Sequence, residues 1–286
     1  MAGDILLAKM PTNDLIYDVA DGIATLTLNR PDKLNAWTGD MEIAVRAAME
    51  AAEGDEGVRV IILTGAGRGF CAGADMSLLS ELAANGATSS AARVLAHEKQ
   101  SRLGEGSRPD YRGTYSYFPS IKKPVIAAIN GPAVGLGFIL ALYCDLRFAS
   151  DQAKFGTAFS RRGLIAEYGV AWILPRLIGP ANALDLLLSA RIIDAEEASR
   201  MGLVNRVFPA AAFMENVRAY ALELVKSVSP RSMAVIKKQV YYGLLESLEE
   251  AAASAEKEIL ESLCCEDFKE GVAHFVEKRA PRFTGR

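Results

Sequence analysis

Residues 124–144 form a long uncharged stretch whose centre is the bend Asn130-Gly131-Pro132-Ala133-Val134-Gly135-Leu136-Gly137. The stretch is long enough to cross a bilayer, but Asn130-Gly131-Pro132 divides it into a strand-sized piece and a helix-sized piece. The spacing therefore predicts a short buried strand over 125–129, a tight turn, and an apolar helix from about 136 to 144. A helix that begins on glycines leaves backbone N–H groups facing outward, where they can hold a developing oxyanion. The first carboxylate placed for catalysis after the bend is Glu167, which points to proton shuttling by a single acid.

A second loop has the same grammar. Residues 15–19 and 23–28 alternate around Asp21-Gly22 as a hairpin, Thr38 and Asp40 are placed to cap a helix to about 52 with Gly54 as its stop, and 58–64 form a buried strand. A β-α-β crossover follows. The next eleven residues, Gly65-Ala66-Gly67-Arg68-Gly69-Phe70-Cys71-Ala72-Gly73-Ala74-Asp75, are too glycine-rich for an element interior, and Asp75 is poised to cap the helix after them. Both loops follow a buried strand and precede a helix, so both belong at the carboxyl edge of one sheet, where ligands bind. Either loop alone is equally well explained as a tight turn. Together they offer two N–H donors, the composition of an oxyanion hole, in which losing one donor costs on the order of 100 to 1000-fold in rate. Neither fits a nucleotide fingerprint: Leu140 and Phe70 stand where the third glycine would be, and no Gly-Lys-Ser/Thr follows.

Charge and cysteine usage exclude other classes. A net charge of -3 provides no basic footprint for nucleic acid. Cys71, Cys144, Cys264 and Cys265 show no C-x-x-C spacing and only His97 and His274 could join them, so the chain reads as reduced, metal-free and cytoplasmic. Residues 1–11 lack the basic n-region of a signal peptide. From Ser80 to Lys123 the pattern fades, as in lids and binding loops, and poor order is expected near 84–113. Strand and helix alternate up to Phe208, with further strand pieces at 146–149 and 154–155. Thereafter 210–227, 230–244 and 245–263 read as helices, Ser229-Pro230 forming a cap and first turn. This suggests a core over 12–208 and a helical region over 209–286.

Several ordered motifs carry a resemblance: Asn29-Arg30-Pro31 with Asn35-Ala36, Phe70-Cys71-Ala72-Gly73-Ala74-Asp75, Lys123-Pro124-Val125-Ile126-Ala127-Ala128-Ile129-Asn130-Gly131, Cys144-Asp145, Met201-Gly202-Leu203-Val204 and Phe275-Val276-Glu277-Lys278-Arg279. Over roughly residues 14–282 the chain resembles the crotonase family of enoyl-CoA hydratases and isomerases. The resemblance implies an α/β fold with a spiral core of repeated ββα turns, a C-terminal helical trimerisation region, a homotrimer or dimer of trimers, and an acyl-CoA substrate. Coenzyme A enters as part of that substrate, with no separate cofactor. It also implies that the thioester oxygen is held by the N–H groups of Ala74 and Leu136, in the loops of Gly73 and Gly135. Lys33, Leu34, Ala36, Ala72, Asp75 and Met76 match the stretch that lines nucleotide and pantetheine, and Phe275 and Lys278 match tail residues that can reach the coenzyme.

The departures narrow the chemistry. Hydratases of the family carry two glutamates, and the matching positions here are Ile139 and Phe159. Neither side chain can activate water or protonate an α-carbon. Phe159-Ser160, Gly163 and Glu167 instead resemble the peroxisomal-type Δ3,Δ2-enoyl-CoA isomerases, in which one glutamate at the place of Glu167 moves a proton from C2 to C4. An apolar wall of Ile139, Phe159 and Trp172 is expected to raise the pKa of Glu167. Three alternatives remain open: hydration or another thioester conversion with Glu167 acting on water, aroyl-CoA chemistry at a carboxylate in this place, and a catalytically silent acyl-CoA binder. Arg161 and Arg162 read first as facing solvent or a partner subunit, with coenzyme phosphates as the alternative, and Asp145 reads as structural.

Overall fold

The computed structural model describes residues 13–86 and 103–286. Strands β1 (Leu15–Ala20) and β2 (Ile23–Leu28) pair antiparallel from Leu15 against Leu28 to Ala20 against Ile23. Their turn places Asp21 at φ 54° and Gly22 at φ 76°, the two positive values that a two-residue hairpin loop of the favoured twist needs. Helix α1 (Gly39–Gly54), capped by the Thr38 side chain accepting from the Met41 amide, carries the chain over to β3 (Val60–Gly65), parallel to β2. Gly54 is the last residue of α1 rather than its stop, and Asp55 in extended conformation closes the helix.

After β3 come α2 (Met76–Asn85), β4 (Val125–Ile129), β5 (Ala133–Val134), α3 (Leu136–Tyr143), β6 (Leu146–Ser150) and β7 (Lys154–Gly156). Then follow α4 (Val170–Ser189), β8 (Ile193–Asp194), α5 (Ala195–Arg200) and β9 (Arg206–Phe208). One sheet has the order β1-β2-β3-β4-β6-β9, parallel from β2 onward, and β5-β7-β8 form a second. The expected disorder near 84–113 falls largely outside the described residues; at its margins α2 reaches Asn85 and 3-10 turns occupy Pro109–Tyr111 and Phe118–Ser120.

β3 and β4 are buried along their whole length, so their alternation divides two cores rather than core from solvent. Ile61, Leu63, Val125, Ala127 and Ile129 join α1 and α3 in the larger core. Val60, Ile62, Ile126 and Ala128 face the other way, against Phe213, Val217 and Ala221 of α6 (Phe213–Ser227). That helix begins three residues later than the pattern suggested, after a 3-10 turn at Ala210–Ala212. Beyond it, α7 (Pro230–Gly243) starts at the expected Ser229 cap, α8 spans Leu248–Cys264, and a separate α9 (Glu266–Glu277) completes the fold. The break before α9 lacks Gly or Pro; Cys265 makes it, its Sγ accepting from the Phe268 amide at 3.3 Å. Helix α4 likewise runs past the expected end near 177, across a non-helical Gly179 followed by Pro180.

Lys237 on α7 ties this helical layer to the sheet. Its Nζ lies 2.7 Å from Asp145 Oδ2 and donates to the carbonyls of Phe118 and Lys123 at 3.1 Å, while the same carboxylate oxygen accepts from the Val125 amide at 2.6 Å. With the lysine side chain 7% exposed, truncating it leaves a buried carboxylate without its counter-charge. Lys237→Met is expected to cost about 3–5 kcal/mol, read as a lowered urea midpoint at unchanged slope.

Candidate active site

The two glycine loops lie against one another. The Asn35 side chain, fully buried, anchors the first: its Nδ2 donates to the carbonyls of Ala66 (3.0 Å) and Gly69 (2.8 Å), and its Oδ1 accepts from the Arg30 amide (2.8 Å). Residues 70–74 then run between two neighbours. On one side the Val134 amide donates to the Cys71 carbonyl at 2.9 Å; on the other the Trp37 amide donates to the Gly73 carbonyl at 2.7 Å and Trp37 accepts from the Asp75 amide at 2.9 Å. In such a bridge the N–H of the central residue, Ala74, points away from Trp37. On that side Gly73, at φ 100°, packs so closely that an added Cβ would lie 3.0 Å from the Val134 carbonyl and 3.8 Å from Gly135 Cα.

Gly135, at φ 55°, turns the chain into α3 while its amide donates to the Gly156 carbonyl at 2.9 Å. The next residue, Leu136, opens the helix, and its N–H is one of those that a helix leaves without an internal acceptor. Among the described residues, the fold gives neither the Ala74 nor the Leu136 N–H an acceptor, although the amides of Asp75, Val134 and Gly135 all have one.

Both loops open on a cleft of about 660 Å³. Apolar side chains from α2 (Met76, Leu79, Leu82) form one wall, and Phe159, Leu164 and Tyr168 form another. Glu167 is the only carboxylate, and Arg162 the only cation, among the described lining residues. The Glu167 carboxyl has no hydrogen bond or ion pair among the described residues, and burial pushes it above its ordinary pKa. Its backbone is held from two directions: the Glu167 carbonyl accepts from the Val170 amide at 3.0 Å, and the Tyr143 hydroxyl donates to the Tyr168 carbonyl at 2.5 Å.

Of the residues singled out from the sequence, Ala72, Gly73, Ala74, Met76, Gly135, Leu136, Phe159 and Glu167 share this cleft. Lys33, Leu34 and Ala36 run alongside it, with the Ala72 amide donating to the Leu34 carbonyl at 3.0 Å. The proposed wall needs correction. Ile139 lies one turn inside α3 and is fully buried in the core, and Trp172 lines a neighbouring cavity with the Arg176 guanidinium 3.9 Å over its ring. Leu164 and Tyr168 stand in their place. Phe275, 80% exposed, and Lys278, the left-handed cap of α9, lie outside the cleft. Arg161 is drawn to the Ser189 carbonyl, whereas Arg162 reaches the cleft. The α2 wall was missed, although the Asp75 cap followed by Met76, Leu79, Leu82 and Ala83 carries a helical spacing. Nothing in the sequence distinguishes Tyr168.

Residues 18–286 match the family model described as enoyl-CoA hydratase/isomerase. The chain is 37% identical to a probable enoyl-CoA hydratase of Rhodobacter capsulatus, covering 97% of this chain and 100% of that one. It is 32% identical to the 1,2-epoxyphenylacetyl-CoA isomerase of Escherichia coli, covering 95% and 98% respectively. Among solved structures, the enoyl-CoA hydratase of Bacillus anthracis superposes with a TM-score of 0.84 at 29% identity, over 96% of this chain and 100% of that one.

Asp75 joins the loop to α2. Its side chain accepts from the amide (2.9 Å) and hydroxyl (2.7 Å) of Ser77 and pairs with Arg30 at 2.9 Å; these bonds, the Ser77 amide foremost, hold its pKa at about 2. A carboxyl depressed below its unfolded value, about 3.9, contributes stability above that pH and loses it as pH falls toward 2. Asp75→Ala should therefore cost about 0.5–2 kcal/mol at neutral pH. In paired denaturation curves the gap from the parent protein should narrow between pH 4 and pH 2, as the parent carboxyl becomes protonated.

Proposed function

The chain belongs to the enoyl-CoA hydratase/isomerase family, and from that premise we propose that it isomerises a 3-enoyl-CoA to the 2-enoyl-CoA with Glu167 as its one acid-base group. The observation that carries this reading is the composition of the cleft. Glu167 is its only described carboxylate, while the family's two hydratase acid positions hold a buried Ile139 and an apolar Phe159. The Ala74 and Leu136 N–H groups, without acceptors in the fold, then face the thioester oxygen.

In this mechanism the Glu167 carboxylate takes a proton from C2, and the electron pair moves through C2 toward the thioester oxygen. The two N–H donors stabilise the resulting dienolate. Collapse of the dienolate moves the double bond to C2–C3 as the Glu167 carboxyl returns the proton to C4. The elevated pKa serves the abstraction from C2, because a carboxylate that has lost some hydration is a stronger base. The coenzyme follows residues 33–36 and 72–76 away from the reacting carbons. Hydration is the second reading, favoured by the names of the similar proteins; it assigns Glu167 to water instead of carbon.

The outer faces of α8 and α9 leave Leu248, Leu260, Phe275 and Val276 between 67% and 86% exposed, which supports self-association through this layer; the assembly we propose is a homotrimer or dimer of trimers, in the cytoplasm. Phe275 and Lys278 would then meet the coenzyme from the helical region. Sedimentation equilibrium should give three or six copies; a monomer at micromolar concentration refutes the assembly.

With a panel of 2-enoyl- and 3-enoyl-CoA substrates, the 3-enoyl compounds should turn over preferentially. Glu167→Gln should lower kcat by about 100 to 10,000-fold while leaving acyl-CoA binding in place. Because the ionised form is the base, kcat/KM should fall with falling pH through a value above that of an ordinary glutamate. The same raised pKa means that the folded state disfavours the charge, so Glu167→Gln should unfold at an equal or higher temperature at neutral pH. An unchanged rate in Glu167→Gln, or no conversion of any 3-enoyl-CoA, removes this reading.

A further inference from the structure

A second cavity, of about 380 Å³, adjoins the cleft, and Tyr168 lines both. Four phenol rings, those of Tyr111, Tyr115, Tyr143 and Tyr168, line it together with Trp172. Three of these phenols have their hydroxyls engaged elsewhere: Tyr111 donates to the Tyr241 carbonyl at 2.6 Å, Tyr115 to Glu42 Oε2 at 3.2 Å, and Tyr143 to the Tyr168 carbonyl at 2.5 Å. Their oxygens are occupied and their carbon rings remain for the cavity, which favours an apolar occupant. Asp110, the one charged residue among the described lining residues, lies 3.5 Å from Arg108.

Tyr168 is held in place as a partition. Its backbone is left-handed, at φ 48°, between Glu167 and Gly169; its ring stands edge-on to Tyr115 at 4.9 Å between centroids; and its carbonyl is fixed by Tyr143. The residue that follows the carboxylate in sequence is thus the shared wall between the cleft and a space with no role in proton transfer.

We propose that Tyr168 sets the length of acyl group the cleft accepts, and that the cavity behind it receives the distal, apolar end of a longer acyl chain when that wall is withdrawn. This rests on the reading of the cleft as an acyl-CoA site. It goes beyond that reading by naming the residue that limits chain length and the place where the remainder would lie.

Binding separates the two claims, because saturated acyl-CoAs test the wall without any reaction. In a calorimetric series of straight-chain thioesters from butyryl- to palmitoyl-CoA, the parent protein should gain affinity with length and then reach a plateau once the cleft is full. Tyr168→Ala should extend the gain to longer chains, by about fourfold per methylene newly buried. Tyr168→Asn should do the same and keeps a side chain that tolerates the left-handed backbone, so the result survives if the alanine variant folds poorly. Adding Leu245→Trp, which enlarges another side chain lining the second cavity, should restore the parent plateau. A plateau at the same length in parent and Tyr168 variants overturns the proposal, as does a parent without a plateau or a gain that survives Leu245→Trp. Failure of every variant to convert 3-enoyl-CoA would instead count against the isomerase reading and leave the length series intact.

Discussion

The close passage of α3 over the segment at residues 70–74 is the contact on which the site depends. Gly137 lies so near the Cys71 carbonyl that a Cβ there would sit 2.1 Å from the oxygen, a separation no side chain can occupy. Gly131 is as tightly packed, its absent Cβ 2.1 Å from the Arg68 carbonyl. These two glycines let separate loops share one surface, and only at that distance can N–H groups from both address a single oxygen atom. The apolar character of α3 also fixes its position, since every residue of Leu136–Tyr143 is buried. The N–H at the helix terminus is thereby held rigidly in place.

The same helix also restrains the backbone beside Glu167. Leu136 at its first turn faces the cleft, while Tyr143 at its last turn reaches the backbone carbonyl of the residue after Glu167. A single eight-residue rod therefore links the Leu136 N–H at the cleft to the backbone beside Glu167. Precision of this kind comes from regular structure more readily than from loops, because the rod cannot change length without breaking its own hydrogen bonds. Behind the rod, parallel strands buried on both faces supply the support, with odd and even residues of β3 and β4 serving different cores.

Much of this was legible in the sequence because it rests on local rules. Strand-sized apolar runs ended by glycine gave β3 and β4 and the two loops; Thr38, Asp75 and Ser229 signalled helix starts that the structure places there. What escaped depends on direction in three dimensions. Ile139 and Trp172 are apolar and follow cleft residues Leu136 and Glu167 closely in the chain, yet one turns into the core and the other into a separate cavity, because helix phase rather than sequence distance decides which way a side chain faces. Tyr168 is the converse case. Its importance lies in a backbone twist and in rings contributed from residues 111, 115 and 143, none of which leaves a mark on its neighbours in sequence.

Backbone strain is distributed in the same way. Non-glycine residues in the left-handed region cost about 1 kcal/mol or more each and persist only where the surroundings determine them. Leu34 (φ 48°) and Asn35 (φ 56°) lie beneath the first loop, and Ala158 (φ 62°) and Tyr168 (φ 48°) line the cleft itself. Each strained stretch has its own restraint: the Asn35 amide bonds to Ala66 and Gly69 in one, the Tyr143 hydrogen bond in the other. Between Ala158 and Gly169 the chain makes only a short 3-10 turn, Ser160–Arg162, before α4 begins. Glu167 thus sits on irregular backbone pinned at its flanks, which lets its carboxyl project into an apolar space where a helix or strand would have paired its peptide groups and turned the side chain by its own period.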